Sequence, residues 1–365
     1  AGRRMVRLCQ EELGLSIELL GTDAIDGDDY RQNRRWLAAT VVPQLTAARA
    51  AGDRLICNVT GGTKAGALAL SECFTWDEYH YCPLGSTEID AWDDRAEARP
   101  SIDIGDPMIT PVQHAKLYAD DVQTLTANPI NDNPRALEYA QELYRMTQQE
   151  TAFFTWFDAE LVGLWFTPKR DWPDYAMARG WRLDMDKKQV IIPKTQCPDL
   201  DYLQWLAAID PDERIGVDGE YLHLPVDRSK SHWIQWILGT WFEFLVKHWI
   251  ATAAPDAAID VNVRFKLTDD EPGREGDLLV SHRNDLWVCE TKVLPPGTRV
   301  ELRTVADKLE VMSNTLGKTR KLFISTPLVA TKIATDTVND FDNRCRALRI
   351  QTAFDEAAVK KVFSR

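Results

Sequence analysis

The pattern of apolar and polar positions is clearest near the carboxyl end of the chain. Two apolar, β-favouring runs, Asp277–His282 and Leu286–Val293, are separated by the polar residues 283–285. Residues of these types turn a chain between two strands, so the pattern predicts a β-hairpin. With a tight turn centred on residues 283 and 284, Asp277 is expected directly across from Glu290.

Helical patterns flank this hairpin. Ser231–Thr252 has the length and apolarity of a buried helix, and Ser231 is a suitable N-cap. Downstream, Thr304–Leu316 is predicted to be a helix that ends at Gly317, and Lys321–Thr326 is predicted to be a strand. The carboxyl-terminal part is therefore expected to contain helix, hairpin, helix and strand, in that order.

The amino-terminal part alternates between segments with the apolar periodicity of a helix and segments with that of a strand. The predicted elements are a helix over Ala1–Leu13, a strand over Ser16–Leu20, a helix over Asn33–Ala51, a strand over Arg54–Thr60, a helix over Ala65–Phe74 and a strand over Glu78–Cys82. Such alternation implies an α/β fold with a mainly parallel sheet.

The region between these parts carries weaker signals. Residues 91–110 are polar and contain prolines, as expected of a linker. Pro111–Val122 and Pro134–Phe157 are predicted helices, and Asp158–Gly219 is mixed. Its tryptophans, which stand at 165, 172, 181 and 205, are interpreted mainly as packing an interdomain joint. The alternative is that they stack on unpaired bases beside nearby basic residues.

Composition narrows the class of protein. A chain of 365 residues suggests two or three domains, and its net charge of −13 argues against a passive nucleic-acid coat. Seven cysteines without a CxxC pair favour a reduced, cytoplasmic protein without a zinc site. No run approaches the roughly 20 apolar residues of a transmembrane helix, so no membrane association is expected.

The hairpin gathers groups that carry chemistry. Asp277 and Glu290 would repel each other unless a positive charge lay between them, and hard carboxylate oxygens favour Mg²⁺ or Mn²⁺. Lys292 shares a strand face with Glu290, where an ammonium could stabilise developing negative charge. The alternative is a solvated cross-strand ion pair with no chemistry.

The predicted helix 231–252 contributes a third carboxylate. Glu243 lies inside an apolar stretch, and burying an unpaired carboxylate is costly, so a partner is expected. Glu243 is therefore a candidate third metal ligand and catalytic residue. Pairing with Lys247, one turn along the helix, is an equally supported alternative.

A second candidate site lies in the amino-terminal part. The chain runs from a strand through Gly61, Gly62, Thr63 and Lys64 into a helix of small residues. Backbone amides at such a helix start favour an anion such as phosphate, and glycines allow close approach. The spacing matches neither the Walker loop nor the dinucleotide fingerprint, and a simple strand-to-helix connection is the alternative.

The Asp277, Glu290 and Lys292 arrangement resembles the PD-(D/E)xK family of restriction-endonuclease-like phosphodiesterases. The family's usual proline is absent here, because residues 274–276 occupy that place. By this resemblance Asp277 and Glu290 bind the metal, while Lys292 orients or helps to deprotonate the attacking water. The family also has a glutamate-bearing helix before the catalytic strands, which matches the position of Glu243.

The segment Asn58–Leu70 resembles the ligand loop of CARF domains, the Rossmann-like sensors of cyclic oligoadenylates in type III CRISPR defence. By this resemblance, residues 61–64 line the activator pocket, and Asn58 and Thr60 support the turn. CARF domains usually open on a strand, whereas this chain opens on a predicted helix, so ligand contacts made by a first strand cannot be assigned.

A chain that carries both motifs in this order resembles the single-CARF CRISPR ancillary nucleases. They imply a CARF domain over residues 1–100, a linker and mostly helical region over 101–225, and a restriction-endonuclease-like domain over 226–365. They also imply a homodimer activated by cyclic tetra-adenylate that cuts DNA, RNA or both. The alternatives are a ligand sensor with an inactive nuclease domain, and a CARF ring nuclease that degrades its activator.

Overall fold

The computed structural model of the chain describes most of its length. The described residues are 2–11, 14, 28–60, 63–83, 88–103, 109–119, 121–149, 151–209, 215–228, 231–266, 273–283, 285–293, 302–317, 319–326 and 335–364. The strand predicted over Ser16–Leu20 lies outside these residues, as do Gly61 and Gly62.

The α-helices of the described residues occur along the whole chain. They are α1 Gly2–Glu11, α2 Tyr30–Trp36, α3 Val42–Ala50, α4 Lys64–Cys73, α5 Pro111–Lys116, α6 Ala136–Gln149, α7 Ala152–Trp156, α8 Gly163–Phe166, α9 Trp172–Met177, α10 Leu200–Ala207, α11 His232–Gln235, α12 Trp241–Ala253, α13 Leu302–Thr315, α14 Thr335–Ala347 and α15 Glu356–Phe363. Three π-helical segments, Leu37–Val41, Phe157–Val162 and Trp236–Thr240, continue neighbouring helices.

The strands form three sheets. They are β1 Ile56–Asn58, β2 Glu78–Tyr81, β3 Glu88–Trp92, β4 Ala98–Asp103, β5 Asp121–Thr124, β6 Arg182–Asp184, β7 Gln189–Pro193, β8 Gly216–Asp218, β9 Tyr221–Pro225, β10 Ala258–Lys266, β11 Arg274–His282, β12 Asp285–Lys292, β13 Arg320–Ser325 and β14 Ile350–Ala353. The chain is therefore a mixed α/β protein, in agreement with the predicted fold class.

The N-terminal sheet has the order β1-β2-β3-β4. Strand β1 pairs with β2 in parallel, but β2 pairs with β3 and β3 with β4 in antiparallel fashion. The two predicted strands that are described, β1 and β2, thus pair in parallel as expected, and the unpredicted strands β3 and β4 add antiparallel pairings. The linker prediction for residues 91–110 also missed β4, whose side chains are all exposed and give no apolar pattern.

The C-terminal sheet has the order β14-β13-β12-β11-β10-β5. Strands β5, β10, β11 and β12 are antiparallel neighbours, whereas β12, β13 and β14 run parallel. Strand β5 comes from within the predicted helix 111–122, which instead ends at Lys116 as α5. Pairing with β10, far along the chain, places residues 121–124 in the sheet.

The middle sheet, β6-β7-β9-β8, is antiparallel and was not predicted. Its inner side chains join a large core that also contains residues of α6, α12, α15 and the C-terminal sheet. Trp165, Trp172 and Trp181 are buried in this core, which confirms the packing interpretation for these three residues. The side chain of Trp205 lies outside the described part of the structure.

The buried helix predicted over Ser231–Thr252 is present as α11, a π-helical segment and α12. The side chain of Ser231 accepts a hydrogen bond from the backbone of Ile234, so the predicted N-cap is confirmed. Helical geometry is interrupted at Gly239, where φ is 174°. No helix in the described ranges is long and apolar enough to span a membrane.

Candidate functional site

The predicted hairpin is formed by β11 and β12. His282 pairs with Asp285 and Leu278 pairs with Cys289, which is the register expected from the sequence. Continuing that register by one residue places Asp277 opposite Glu290. Asn284, the second residue of the predicted turn centre, lies outside the described residues, and Arg283 adopts a left-handed φ of 48° that a tight hairpin turn favours.

Alternation along the strands separates two faces of the sheet. Leu278 and Cys289 contact the core that includes α12, while Leu279 and Val288 contact α13 on the other face. Because side chains alternate along a strand, Asp277, Glu290 and Lys292 belong to the face covered by α13. These side chains therefore meet in the space between the hairpin and helix α13.

Asp277 is fixed by its neighbour on β12. Its Oδ2 atom accepts hydrogen bonds from the Thr291 backbone amide at 2.7 Å and from the Thr291 hydroxyl at 3.2 Å. Both residues are buried. Oδ2 is thereby committed to Thr291, which leaves Oδ1 as the more available oxygen for other contacts.

Two ammonium groups converge on the carboxylates. Lys292 Nζ lies 2.7 Å from Glu290 Oε1 and 3.6 Å from Asp277 Oδ2. Lys308 Nζ, on α13, lies 2.7 Å from Glu290 Oε2 and 3.8 Å from Asp277 Oδ1. The Glu290 side chain is only 1% exposed. The four charges thus form a cluster of two buried carboxylates and two partly exposed ammonium groups, and not the solvated cross-strand pair that was the alternative for the hairpin.

The sequence offers two interpretations of Lys308, which lies in the predicted helix 304–316: it faces a substrate phosphate or, like most helical lysines, it is solvated. The signal for its position was the apolar face of α13, where Val305 and Leu309 are buried. Lys308 lies three residues after Val305 and one residue before Leu309. It therefore flanks the apolar face of α13 and can reach the sheet. Its contact with β12 could be proposed only once the helix was known to pack on that side.

Glu243 approaches from α12. Oε2 of this carboxylate is buried and has no hydrogen-bond partner among the described residues. Among the described residues no ion pair joins it to Lys247, which is exposed. The alternative pairing with Lys247 is therefore wrong, because Lys247 points to solvent while Glu243 points inward.

Burial dominates the electrostatics of these acids. It raises the pKa of Glu243 to about 8, and the negative charge of Asp277 adds to the rise, while Lys292 and a hydrogen bond from Asn262 oppose it. Burial and Asp277 likewise raise the pKa of Glu290, against the lowering effect of Lys292 and Lys308. Burial lowers the pKa of Lys292, but Asp277 and Glu290 outweigh it, so the net pKa is raised.

Asn262 is a further residue that sequence reasoning missed. The pairs Val261 with Leu278 and Val263 with Gly276 place it opposite Asp277 in the neighbouring strand. Its φ is 52°, a left-handed conformation that asparagine tolerates better than most residues. An asparagine amid β-branched residues was a visible signal, because asparagine is depleted in strand interiors.

The donor set suits a small, hard cation. No three His, Cys, Asp or Glu side chains in the described ranges converge tightly enough to hold a metal by themselves. Mg²⁺ nevertheless commonly binds through one or two carboxylates and keeps several waters or substrate oxygens. Asp277 and Glu290 provide such a pair, and Glu243 has a buried oxygen without a partner, so these residues fit Mg²⁺ or Mn²⁺.

The described residues on either side of Gly61 and Gly62 form a strand and a helix, as the sequence predicted. Asn58 Oδ1 accepts from the Thr60 amide at 2.9 Å, and the Thr60 hydroxyl accepts from the Cys82 amide at 2.7 Å. Thr63 caps α4 by accepting from the Gly66 amide at 3.1 Å. Lys64, the first residue of α4, is exposed. Asn58 and Thr60 thus tie β1 to the end of β2 and leave Lys64 accessible.

Comparison with protein families and with curated sequences gives no match. Two solved structures share the fold over nearly the whole chain. Protein VC1899 from Vibrio cholerae has a TM-score of 0.67 at 14% identity, with 100% of this chain and 86% of that chain covered. Can2 from Sulfobacillus thermosulfidooxidans, in complex with cyclic tetra-adenylate, has a TM-score of 0.61 at 18% identity, with 99% and 86% covered.

Proposed function

We propose that the chain is a cyclic-oligoadenylate-activated, Mg²⁺- or Mn²⁺-dependent endonuclease of type III CRISPR defence. The observation that carries the proposal is the convergence of Asp277, Glu290 and Lys292 on one face of the hairpin, with Lys292 Nζ 2.7 Å from Glu290. The shared fold with Can2, which was solved with cyclic tetra-adenylate, supports the sensor half of the proposal.

Each residue of the hairpin site has a distinct role in this proposal. Asp277 and Glu290, joined by Glu243 once it loses its proton, would hold the cation. A bound divalent ion supplies a Lewis acid and lowers the pKa of water near it. Lys292 orients the attacking water and donates hydrogen bonds to a phosphate oxygen as negative charge develops there. Lys308 adds a second positive charge on the side of α13.

The amino-terminal turn would bind the activator. Gly61, Gly62, Thr63 and Lys64 line the proposed pocket, and Asn58 with Thr60 fixes the preceding strand end. Two copies of the chain would surround one ring-shaped ligand across a two-fold axis. The ligand activates only if it binds the active arrangement of the dimer more tightly than the resting one.

Two alternative functions would give experimental results that differ from those of the proposed one. A sensor with an inactive nuclease domain would bind the activator and cut nothing, and the intact carboxylate and lysine cluster argues against it. A ring nuclease would consume the activator itself. Both are distinguished from the proposal by following the substrate strand and the activator in the same reaction.

The test is a cleavage assay with labelled single-stranded DNA and RNA, with and without cyclic tetra-adenylate and Mn²⁺. We expect cleavage only when both are present. Glu290→Gln should reduce the rate by at least about a hundredfold without weakening activator binding. Glu310→Gln, a change of the same type on α13 outside the carboxylate cluster, is the control and should cleave normally.

Several outcomes would contradict the proposal. Full cleavage by Glu290→Gln would refute the assigned site. Cleavage that does not depend on the activator would refute the sensor half while leaving the nuclease half intact. Loss of the activator without cleavage of either strand would favour the ring nuclease.

A further inference from the structure

Strand β10 turns over at Asn262, beside the proposed cation site. Ile259 and Val261 pack against the core that contains residues of α12, whereas Val263 and Phe265 are buried in the core that contains residues of α13. Residues two apart in a regular strand point to the same face, so all four side chains would lie on one side if the alternation were unbroken. The alternation of β10 is therefore reversed between Val261 and Val263.

The backbone of Asn262 accounts for this reversal. Its φ of 52° is left-handed, unlike the extended conformation of a regular strand residue. Its carbonyl oxygen accepts a hydrogen bond from the Leu125 amide at 3.0 Å, directly after β5. Val261 and Val263 both keep their pairing with β11. The left-handed conformation is thus held by the neighbouring strands on both sides of β10.

The type of residue at this position carries information. A left-handed conformation is unfavourable for most residues, whereas glycine adopts it freely. Glycine would therefore be sufficient to reverse the strand, and the side-chain amide of Asn262 needs a reason of its own. That amide forms a side-chain hydrogen bond with Glu243. Oε2 of Glu243 has no hydrogen-bond partner among the described residues, so it stays available to a cation.

We propose that Asn262 is a positioning residue that holds the Glu243 carboxylate beside Asp277 at the cation site. The register of β10 and β11 supports this placement, because it puts Asn262 opposite Asp277. Left-handed backbone at residues other than glycine is concentrated at functional sites, where the surrounding structure holds it. The proposal rests on the nuclease function proposed above, and it gives Asn262 no contact with the substrate.

Asn262→Gly tests the proposal, because it removes the amide and keeps the left-handed backbone. Its free energy of unfolding should stay close to that of the wild type, since glycine adopts this φ freely. Mn²⁺ affinity, measured by electron paramagnetic resonance of the free ion, should fall about threefold to tenfold, because one hydrogen bond to a carboxylate is lost. Ala96→Gly is the matched control, since Ala96 also has a left-handed φ, 59°, in the turn between β3 and β4. Its Mn²⁺ affinity should be unchanged.

A double-mutant cycle separates positioning from a general structural role. If Asn262 acts through Glu243, Asn262→Gly should have no further effect on Mn²⁺ affinity in the Glu243→Gln background. Wild-type affinity in Asn262→Gly would overturn the inference, as would an equal loss of affinity with and without Glu243. In both cases a wild type that binds Mn²⁺ and cleaves would leave the proposed function intact. A wild type that binds no Mn²⁺ would refute the proposed cation site and this inference with it.

Discussion

Lys308 and Lys292 compete with any cation for the oxygens of Glu290. Both ammonium groups lie 2.7 Å from this carboxylate, and both are within 4 Å of Asp277. Two positive charges at this distance reduce the attraction of the carboxylates for a divalent ion. The same positive charges attract the phosphate of the proposed substrate. The two lysines should therefore lower the affinity for the cation and raise the rate of cleavage.

Lys308→Met separates these effects. Removing one ammonium should raise the affinity for Mn²⁺ about threefold to tenfold and lower the cleavage rate about tenfold to a hundredfold. Mn²⁺ binding is measured by electron paramagnetic resonance of the free ion, independently of activity. Lys247→Met, on an exposed face of α12, is the control for loss of a lysine. Unchanged Mn²⁺ affinity in Lys308→Met would contradict the role assigned to this contact.

Glu243 should make cation binding depend on pH. Its pKa is raised to about 8, mainly by burial, so near neutral pH it is largely protonated and cannot ligate a cation. Folded protein then holds this proton more tightly than unfolded protein, so stability falls as pH rises from the ordinary value of 4.5 towards 8. Cation affinity should rise over the same interval.

The measurement is Mn²⁺ affinity from about pH 6 to about pH 9, for the wild type and for Glu243→Gln. The wild type should bind more tightly as pH increases, and the variant should lose the part of this dependence that is centred near pH 8. Glu290 also has a raised pKa, so some dependence at lower pH will remain. Identical profiles for the two proteins would exclude Glu243 as a ligand.

At the scale of the elements, the end of helix α13, which carries Lys308, is closely constrained. Gly317 follows α13 with a left-handed φ of 83°. A Cβ atom at this position would lie 2.6 Å from Tyr118 Cζ, a ring in the segment between α5 and β5. The helix end is therefore fixed both by backbone conformation and by a close approach to the rest of the domain.

Gly317→Ala should destabilise the protein for two reasons, the left-handed backbone at this position and the close approach of Tyr118. Gly180→Ala is a matched control, because Gly180 also has a left-handed φ, 71°, but open space around its missing Cβ. We expect about 1–2 kcal/mol of lost unfolding free energy for Gly180→Ala, from the backbone alone. Gly317→Ala should lose about 1–3 kcal/mol more through crowding against Tyr118. Equal losses in urea titrations would show that Tyr118 moves freely.

At the scale of the whole molecule, one hydrophobic core joins the middle region to the C-terminal sheet. Ile130, Trp165 and Leu224 belong to the same buried cluster as Leu278 and Phe363. The N-terminal sheet and its helices pack around two smaller, separate clusters. The middle region thus supports the hairpin directly, whereas the activation signal proposed for the N-terminal sheet would have to cross a boundary between cores.

Lys64→Ala tests whether the start of α4 acts in activator binding or in communication across that boundary. Because Lys64 is exposed at the start of α4, its loss should not affect folding but should remove one charged contact to the proposed activator. We expect the cyclic tetra-adenylate concentration for half-maximal cleavage to rise about tenfold. The maximal rate at saturating activator should be unchanged.

Lys187→Ala, also an exposed lysine but far from α4 in the sequence, controls for a general loss of charge. An unchanged dose response in Lys64→Ala would reduce the turn at residues 61–64 to a simple connection between strand and helix. A reduced maximal rate would instead assign Lys64 to the switch and not to binding.

The amino-acid sequence by itself determined the hairpin and the pairing of Asp277 with Glu290. Alternation and turn chemistry are local, so they fix which residues face each other when the intervening turn is short. The same locality explains the N-cap at Ser231 and the end of α13 at Gly317. These features depend on residues within a few positions of one another.

Only the tertiary structure decided which distant elements meet at the site. Strand β5 joins the sheet through β10, more than a hundred residues away, and the pattern at 121–124 gave no sign of it. Lys308, Glu243 and Asn262 come from three different elements, and their positions depend on which face of the sheet each element covers. Packing between elements is set by the whole core, so the two carboxylates and Lys292 could be predicted from the hairpin, whereas the contacts that Lys308 makes with them could not.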